Sequence, residues 1–158
     1  MSKNIKLLYV LVCVLLTGYI CSLSVMKGLA EWYNDAPKPT ITPPAFIFSA
    51  AWSLIYALLI ASTYIVLSKA KENLFFKANF LFITQLIFQV FWCLTFFALG
   101  EIQLGLFAFI FLDITVFFMA KAYKKVSKLA FYILFPYFIW LAFATVLNAL
   151  FWFQYLPS

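Results

Sequence analysis

Along the chain, five long apolar runs alternate with short polar breaks, at about residues 5–26, 44–67, 78–99, 102–120 and 129–155. A hydrocarbon core about 30 Å thick is crossed by roughly 20 residues of helix. The pattern therefore predicts an all-α integral membrane bundle of five transmembrane helices, one domain over residues 1–158. For the first run a cleavable signal peptide is the rival, because Lys3 and Lys6 precede the Leu7 to Leu16 stretch. The run continues to Met26, beyond an ordinary signal core, and Ser22-Leu23-Ser24 is a poor cleavage site, which favours a span.

Residues 27–42 form the longest connection, and long loops are commonly lids or linkers. Trp32, Tyr33 and the prolines argue for an ordered lid packed on the membrane face. A place in the interfacial aromatic belt is the alternative for Trp32 and Tyr33. Thr42-Pro43-Pro44 then predicts a helix start, with the Thr42 hydroxyl as N-cap and proline in the first turn.

Within the spans, aromatic and amide side chains recur at helical spacing. Phe48, Trp52, Tyr56 and Leu59 share one face of the second; Gln85, Gln89, Trp92 and Phe96 share one of the third; Tyr137, Trp140, Ala144 and Asn148 share one of the fifth. Amides in lipid must find partners, so these faces point into the bundle or a cavity. At about 1.5 Å per residue, Trp52 lies ~13 Å into its helix and Trp140 ~16 Å, both near the midplane. Pro136, well inside the fifth span, predicts a kink. Asp113 in the fourth span is a functional candidate by its depth alone, and with no lysine near that depth it is expected to be protonated or hydrogen-bonded to a neighbouring helix. Lys121 to Lys128 reads as a basic turn.

Composition sharpens this picture. The 158 residues are 67% hydrophobic and 22% aromatic, and only 10% are charged; the mean hydropathy is +1.05. The net charge of +6 comes from lysines lying between apolar segments, which gives nucleic-acid binding no support. Nine of them fall at the N-terminus and in the second and fourth connections, against Lys27 and Lys38 on the other side. The positive-inside rule places the N-terminus in the cytoplasm and the C-terminus outside. Histidine is absent, which removes imidazole catalysis, the commonest zinc ligand and the usual proximal haem ligand. Cys13, Cys21 and Cys93 lack metal-ligand spacing and read as buried apolar residues.

Trp32-Tyr33, Lys38-Pro39, Pro43-Pro44 with Phe48 and Trp52, Gln85-Leu86 with Trp92, Phe96 and Phe97, Val126-Ser127, and PYFIWLAFATVLNALFW from Pro136 to Trp152 occur in this order. In this combination the chain resembles the translocator protein / tryptophan-rich sensory protein (TspO/MBR, peripheral-type benzodiazepine receptor) family. The resemblance implies a five-helix fold whose first loop caps a pocket for porphyrins and haem, and in some members for sterols or benzodiazepine-site ligands. Carried over by position, that pocket takes Tyr33, Pro44, Trp52, Gln89, Trp92, Trp140, Phe143 and Ala144, to which the helical stripes add Phe48, Tyr56, Phe96 and Asn148, and the loop adds Lys38. The resemblance also implies a homodimer, although the third helix has no small-xxx-small pattern. A bacterial inner membrane is compatible with the basic N-terminus and the lysine-only charge.

The chain departs from the family pattern at Ile41 and Phe46, where tryptophans are common, and at Gln89, where an asparagine is common. Ala149 and Phe153 stand where a sterol-recognition pattern has a tyrosine and a basic residue. Asp113 is unusual for its position, and the resemblance implies no role for it.

The leading functional expectation is a membrane receptor or sensor for tetrapyrroles, requiring no cofactor, with Lys38 and Lys27 meeting the ligand's carboxylates at the mouth and its ring among the indoles. Without histidine, free-base porphyrins suit the site better than haem. A transporter of such ligands is one alternative. Another, suggested by some family members, is an enzyme that degrades porphyrins in light and oxygen, with Trp52 and Trp140 as redox-active residues. The plainest alternative is that the aromatic stripes only pack helices together.

Overall fold

The structure, a computed structural model, describes residues 2–155. It is all-helical. Helix α1 (Lys3–Gly28) is capped by the Ser2 hydroxyl, which accepts from the Ile5 backbone at 3.4 Å, and it runs on through a wide π-type turn, Leu29–Tyr33. Then come α2 (Ala45–Lys69), α3 (Glu72–Cys93), prolonged by a second wide turn, Leu94–Ala98, α4 (Ile102–Val126), and α5 (Lys128–Ile133) with α6 (Phe135–Gln154). Five stretches among the described residues are long and apolar enough to cross a membrane: Lys3–Tyr33, Ala45–Lys69, Glu72–Ala98, Ile102–Val126 and Lys128–Gln154. The protein is an integral membrane protein.

Helix ends differ from the sequence expectation in a consistent direction. Residues 72–77 and 121–126 carry the charged residues that flank the spans but contain no glycine or proline, so nothing halts the helix where hydrophobicity falls. Lys121, Lys124 and Lys125 accordingly lie on the last turns of α4 rather than in a turn. Lys121 Nζ lies 5.2 Å from the Phe117 ring centroid and Lys124 Nζ 5.0 Å from that of Phe131, a placement that lets the aliphatic stem cover apolar surface while the charge reaches water. Likewise α1 extends to Tyr33, so the loop expected over residues 27–42 is confined to residues 34–44, and Trp32 and Tyr33 are helical.

Thr42 is not the cap of α2. A residue before proline is held out of the helical region, so the Pro43-Pro44 pair delays the helix to Ala45, with Pro44 extended at ψ 147 as its N-cap. The Thr42 hydroxyl, two residues upstream, is buried without a partner. At Pro136 the outcome is a break rather than a kink. Pro136 lacks the N–H that would bond to the Tyr132 carbonyl, and the helix is interrupted at Leu134 and restarts with the proline in its first turn.

Helices α3 and α4 form the most extensive contact, and α1 packs on α3 and α2. The core of Val10, Val14, Leu59, Phe82, Phe109, Leu112, Tyr123 and Tyr137 is fully closed to solvent or nearly so. Outward-facing Leu8, Leu15, Phe76, Phe80, Phe107 and Phe118 are exposed, as lipid-facing surfaces require. Polar side chains inside the bundle bond across helices: Tyr123 with Thr63 at 2.8 Å, Ser62 to the Ala130 carbonyl at 2.7 Å, and Tyr9 to Asn79 at 2.9 Å.

Candidate functional site

The loop end of the bundle is organised by the two wide turns, which lie side by side. A Cβ at Gly28 would stand 2.6 Å from the Phe97 carbonyl oxygen, so only glycine allows α1 this close to the end of α3. The same carbonyl accepts from the Trp32 indole N–H at 2.8 Å, which supplies a donor to an oxygen near the helix end. Trp32 stands edge-on to Tyr33 and Phe96 at 5.6 and 5.8 Å. It is thus a clamp between helices and does more than sit in an interfacial belt. Because the wide turn shifts the helical phase, four consecutive residues, Thr95 to Ala98, are all buried.

Trp52 and Trp140, expected at mid-depth, converge with Trp92. Trp52 lies 5.5 Å from Trp92 and 6.3 Å, edge-on, from Trp140. The amide stripes pair across helices: Trp92 Nε1 donates to Asn148 Oδ1 at 3.0 Å, Gln89 Nε2 to the Tyr56 hydroxyl at 2.8 Å, and the Tyr137 hydroxyl to Gln85 Oε1 at 3.0 Å. Asp113 accepts from the Thr145 hydroxyl of α6 at 2.6 Å, a neighbouring-helix partner of the kind expected for it. Five buried polar atoms of these residues remain without protein partners: the indole nitrogens of Trp52 and Trp140, Gln89 Oε1, Gln85 Nε2 and Asp113 Oδ1. Unpaired buried polar atoms are costly, and those that line a cavity are available to a ligand.

Space near these groups is divided into three parts. A groove of about 560 Å³ runs between α1 and α2 with α3 as its floor, lined by Gly18, Cys21, Ser22, Phe48, Ser49, Trp52, Ser53, Tyr56, Gln89, Trp92 and Cys93. Exposed Leu15, Tyr19 and Met26 form its rim, so it opens toward lipid. A second cavity of about 500 Å³ lies beneath the loop, bounded by Tyr33, Asn34, Lys38, Pro39, Thr42, Pro43, Pro44, Phe48 and Phe97. Between them is a chamber of only about 20 Å³ enclosed by Tyr33, Phe48, Trp92, Phe96, Trp140, Phe143, Ala144 and Asn148.

Each of the thirteen side chains expected at the site borders one of these three spaces, but the structure does not gather them into a single open pocket. Phe48 and Tyr33 fill the room that Ala144 was expected to leave beside Trp140. Lys38 borders the loop cavity, its Nζ donating to the Asn34 carbonyl at 3.0 Å and lying 5.0 Å from the Tyr33 ring centroid. Lys27, expected beside it, does not border that cavity. It faces out, 3.8 Å from Glu31 one turn on, because α1 continues through it. The residues that sequence reasoning missed are the small ones of the groove, Gly18, Ser22, Ser49 and Ser53. Their one signal is that they interrupt otherwise bulky apolar helix faces. Cys21 and Cys93 are buried as expected and border the groove, while Cys13 is half-buried.

The comparisons with known proteins agree with this architecture. The profile of the TspO/MBR family matches residues 9–153. A protein named tryptophan-rich protein TspO from Archaeoglobus fulgidus is 35% identical over 147 residues, 91% of this chain and 93% of the relative. Translocator protein from Sus scrofa is 30% identical, covering 87% of this chain and 82% of the relative. Protein CrtK from Rhodobacter capsulatus is 30% identical over 77% of this chain and 76% of its own length. With its five spans and with a family match running through all of them, the chain belongs to the TspO/MBR family.

Proposed function

We propose that this protein is a membrane receptor for planar tetrapyrroles, which it holds among Trp52, Trp92 and Trp140 beneath the first loop. The observation that carries the proposal is the convergence of three indoles at a groove of ligand size: Trp52 and Trp92 line about 560 Å³, within the roughly 300–1,000 Å³ of small-molecule sites, and Trp140 stands 6.3 Å behind Trp52. Flat aromatic ligands gain from stacked and edge-on ring contacts, and Trp52 and Gln89, both lining the groove, each keep a buried polar atom without a protein partner, Nε1 and Oε1. Lys38, at the loop cavity, is placed to meet a carboxylate once it releases the Asn34 carbonyl. Haem would find no imidazole in this chain, so a free-base porphyrin is the better-matched ligand. The lysine distribution supports a cytoplasmic N-terminus and a loop on the opposite side, and family membership supports a homodimer.

The test is quenching of tryptophan fluorescence by protoporphyrin IX in detergent. Saturable quenching is expected in the parent, and Ala144→Thr, which adds bulk next to Trp140, should weaken it about tenfold, close to 1.4 kcal/mol. Trp140→Phe should lower both the affinity and the amplitude. Quenching that never saturates, and that neither substitution alters, would reduce the effect to partitioning into the micelle and sink the proposal.

A further inference from the structure

We infer that Phe48 is the gate that decides which ligands enter the aromatic chamber. Among the described residues it alone borders all three spaces: the groove between α1 and α2, the cavity beneath the loop, and the small chamber around Trp140 and Ala144. Other residues are shared by two spaces at most.

The chamber cannot hold an organic ligand in this conformation. Its volume of about 20 Å³ accommodates roughly one water, although both neighbouring spaces are more than twenty times larger. Trp92 also stands between the groove and the chamber, and Tyr33, Phe97 and Leu147 between the loop cavity and the chamber, but Phe48 is the one ring common to both partitions. Phe48 stands edge-on to Trp52, Phe97 and Trp140 at centroid separations of 6.4, 6.1 and 5.9 Å, so its ring fits between the walls instead of stacking on one of them. It is only half-buried, which leaves room for the ring to turn out.

The backbone beneath it is fixed. Phe48 lies in the first turn of α2, its N–H bonded to the Pro44 carbonyl at 3.2 Å, and Pro43-Pro44 restricts the chain just before it. Movement of this wall is therefore a side-chain rotation, and the ring's size and flatness set what passes. A planar aromatic ligand can take the place the ring leaves, since the same edge-on partners then face the ligand. A bulky, non-planar ligand of equal volume stays in the groove. The inference rests on the tetrapyrrole proposal for the identity of the ligand but not for the existence of the gate.

The experiment uses the full chain in detergent and reads access to the chamber without any porphyrin. Ala144→Cys places a thiol in the chamber, and native Cys93, which borders the groove, is the internal reference. Modification by N-ethylmaleimide is followed at each thiol by mass spectrometry of peptides. With Phe48 intact, the thiol introduced at 144 should react at least tenfold more slowly than when Phe48→Ala is added. Phe48→Trp should slow it further, and Cys93 should be indifferent to both. Phe48→Leu, which keeps most of the apolar volume but not the flat ring, gives an intermediate acceleration and serves if the alanine variant does not fold. Equal rates at 144 in all these backgrounds would overturn the gate. Protoporphyrin IX quenching on the Phe48 variants without the introduced thiol separates the two proposals. Faster onset in Phe48→Ala supports both, whereas no saturable quenching in any background, with the thiol acceleration intact, keeps the gate and overturns the tetrapyrrole assignment.

Discussion

Against one side of α3 lies α4, and against another lie α1 and the first half of α2; the two seams are built from different materials. On the α4 side a Cβ at Gly105 would stand 2.8 Å from that of Phe96, Phe109 meets Trp92 at 4.8 Å, and the Trp92 N–H is paired with Asn148. On the α1–α2 side Gly18, Ser22, Ser49 and Ser53 line a groove of about 560 Å³, and the Trp52 N–H is unpaired. A close-packed seam fixes geometry because interiors at that density do not yield. A seam of small residues leaves volume that a ligand can take. The difference teaches that α3 carries a scaffold on one side and a binding surface on the other, with the tryptophans of the stripe lying between them.

The sharpest way to break this contrast is to add bulk at Gly105. Gly105→Leu should remove at least about 3 kcal/mol of stability, at the upper end of overpacking costs, seen as loss of the cooperative melt in detergent. A melt close to that of the parent would show the α3–α4 seam to be as yielding as the groove. Less drastic is Asn148→Leu, which strands the buried Trp92 N–H. It should cost about 1–3 kcal/mol, read from the thermal midpoint, with the far-ultraviolet circular dichroism of the folded state unchanged. The smallest effect is expected on the other side: Ser53→Ala should shift stability by no more than about 0.5 kcal/mol. If it costs as much as Asn148→Leu, the two seams are not different in kind.

Much of this was legible in the sequence, for physical reasons that also explain the remainder. Five spans follow from the cost of exposing backbone to lipid, which forces each crossing into apolar helix. The meeting of Trp52, Trp92 and Trp140 follows from helical spacing, which puts Trp92 and Trp140 on faces with amides that have to be buried and Trp52 on a face with Phe48 and Tyr56. The ends of α3 and α4 were not legible from hydrophobicity because helix termination depends on breakers, and residues 72–77 and 121–126 contain none. Thr42 carried a cap signature, but the two prolines after it moved the start of the helix beyond its reach. The groove was invisible since Gly18, Ser22, Ser49 and Ser53 contribute by what they lack. The near-closure of the chamber was invisible as well, because helical spacing puts Phe48 on the face that lines a pocket but does not say how its ring stands between Trp52, Phe97 and Trp140.

The wide turn at Leu94–Ala98 has a consequence for how this sequence varies. An extra residue in one turn offsets everything beyond it by about 100° around the axis, which is how Phe96 and Phe97, neighbours in sequence, both face inward. Such a turn behaves as a frame correction in the chain. Deleting one residue there would return α3 to regular winding, swing one of the two phenylalanines toward lipid and take the Phe97 carbonyl away from Trp32. A length change of a single residue at this point would therefore undo the clamp on the loop without altering any residue that makes it.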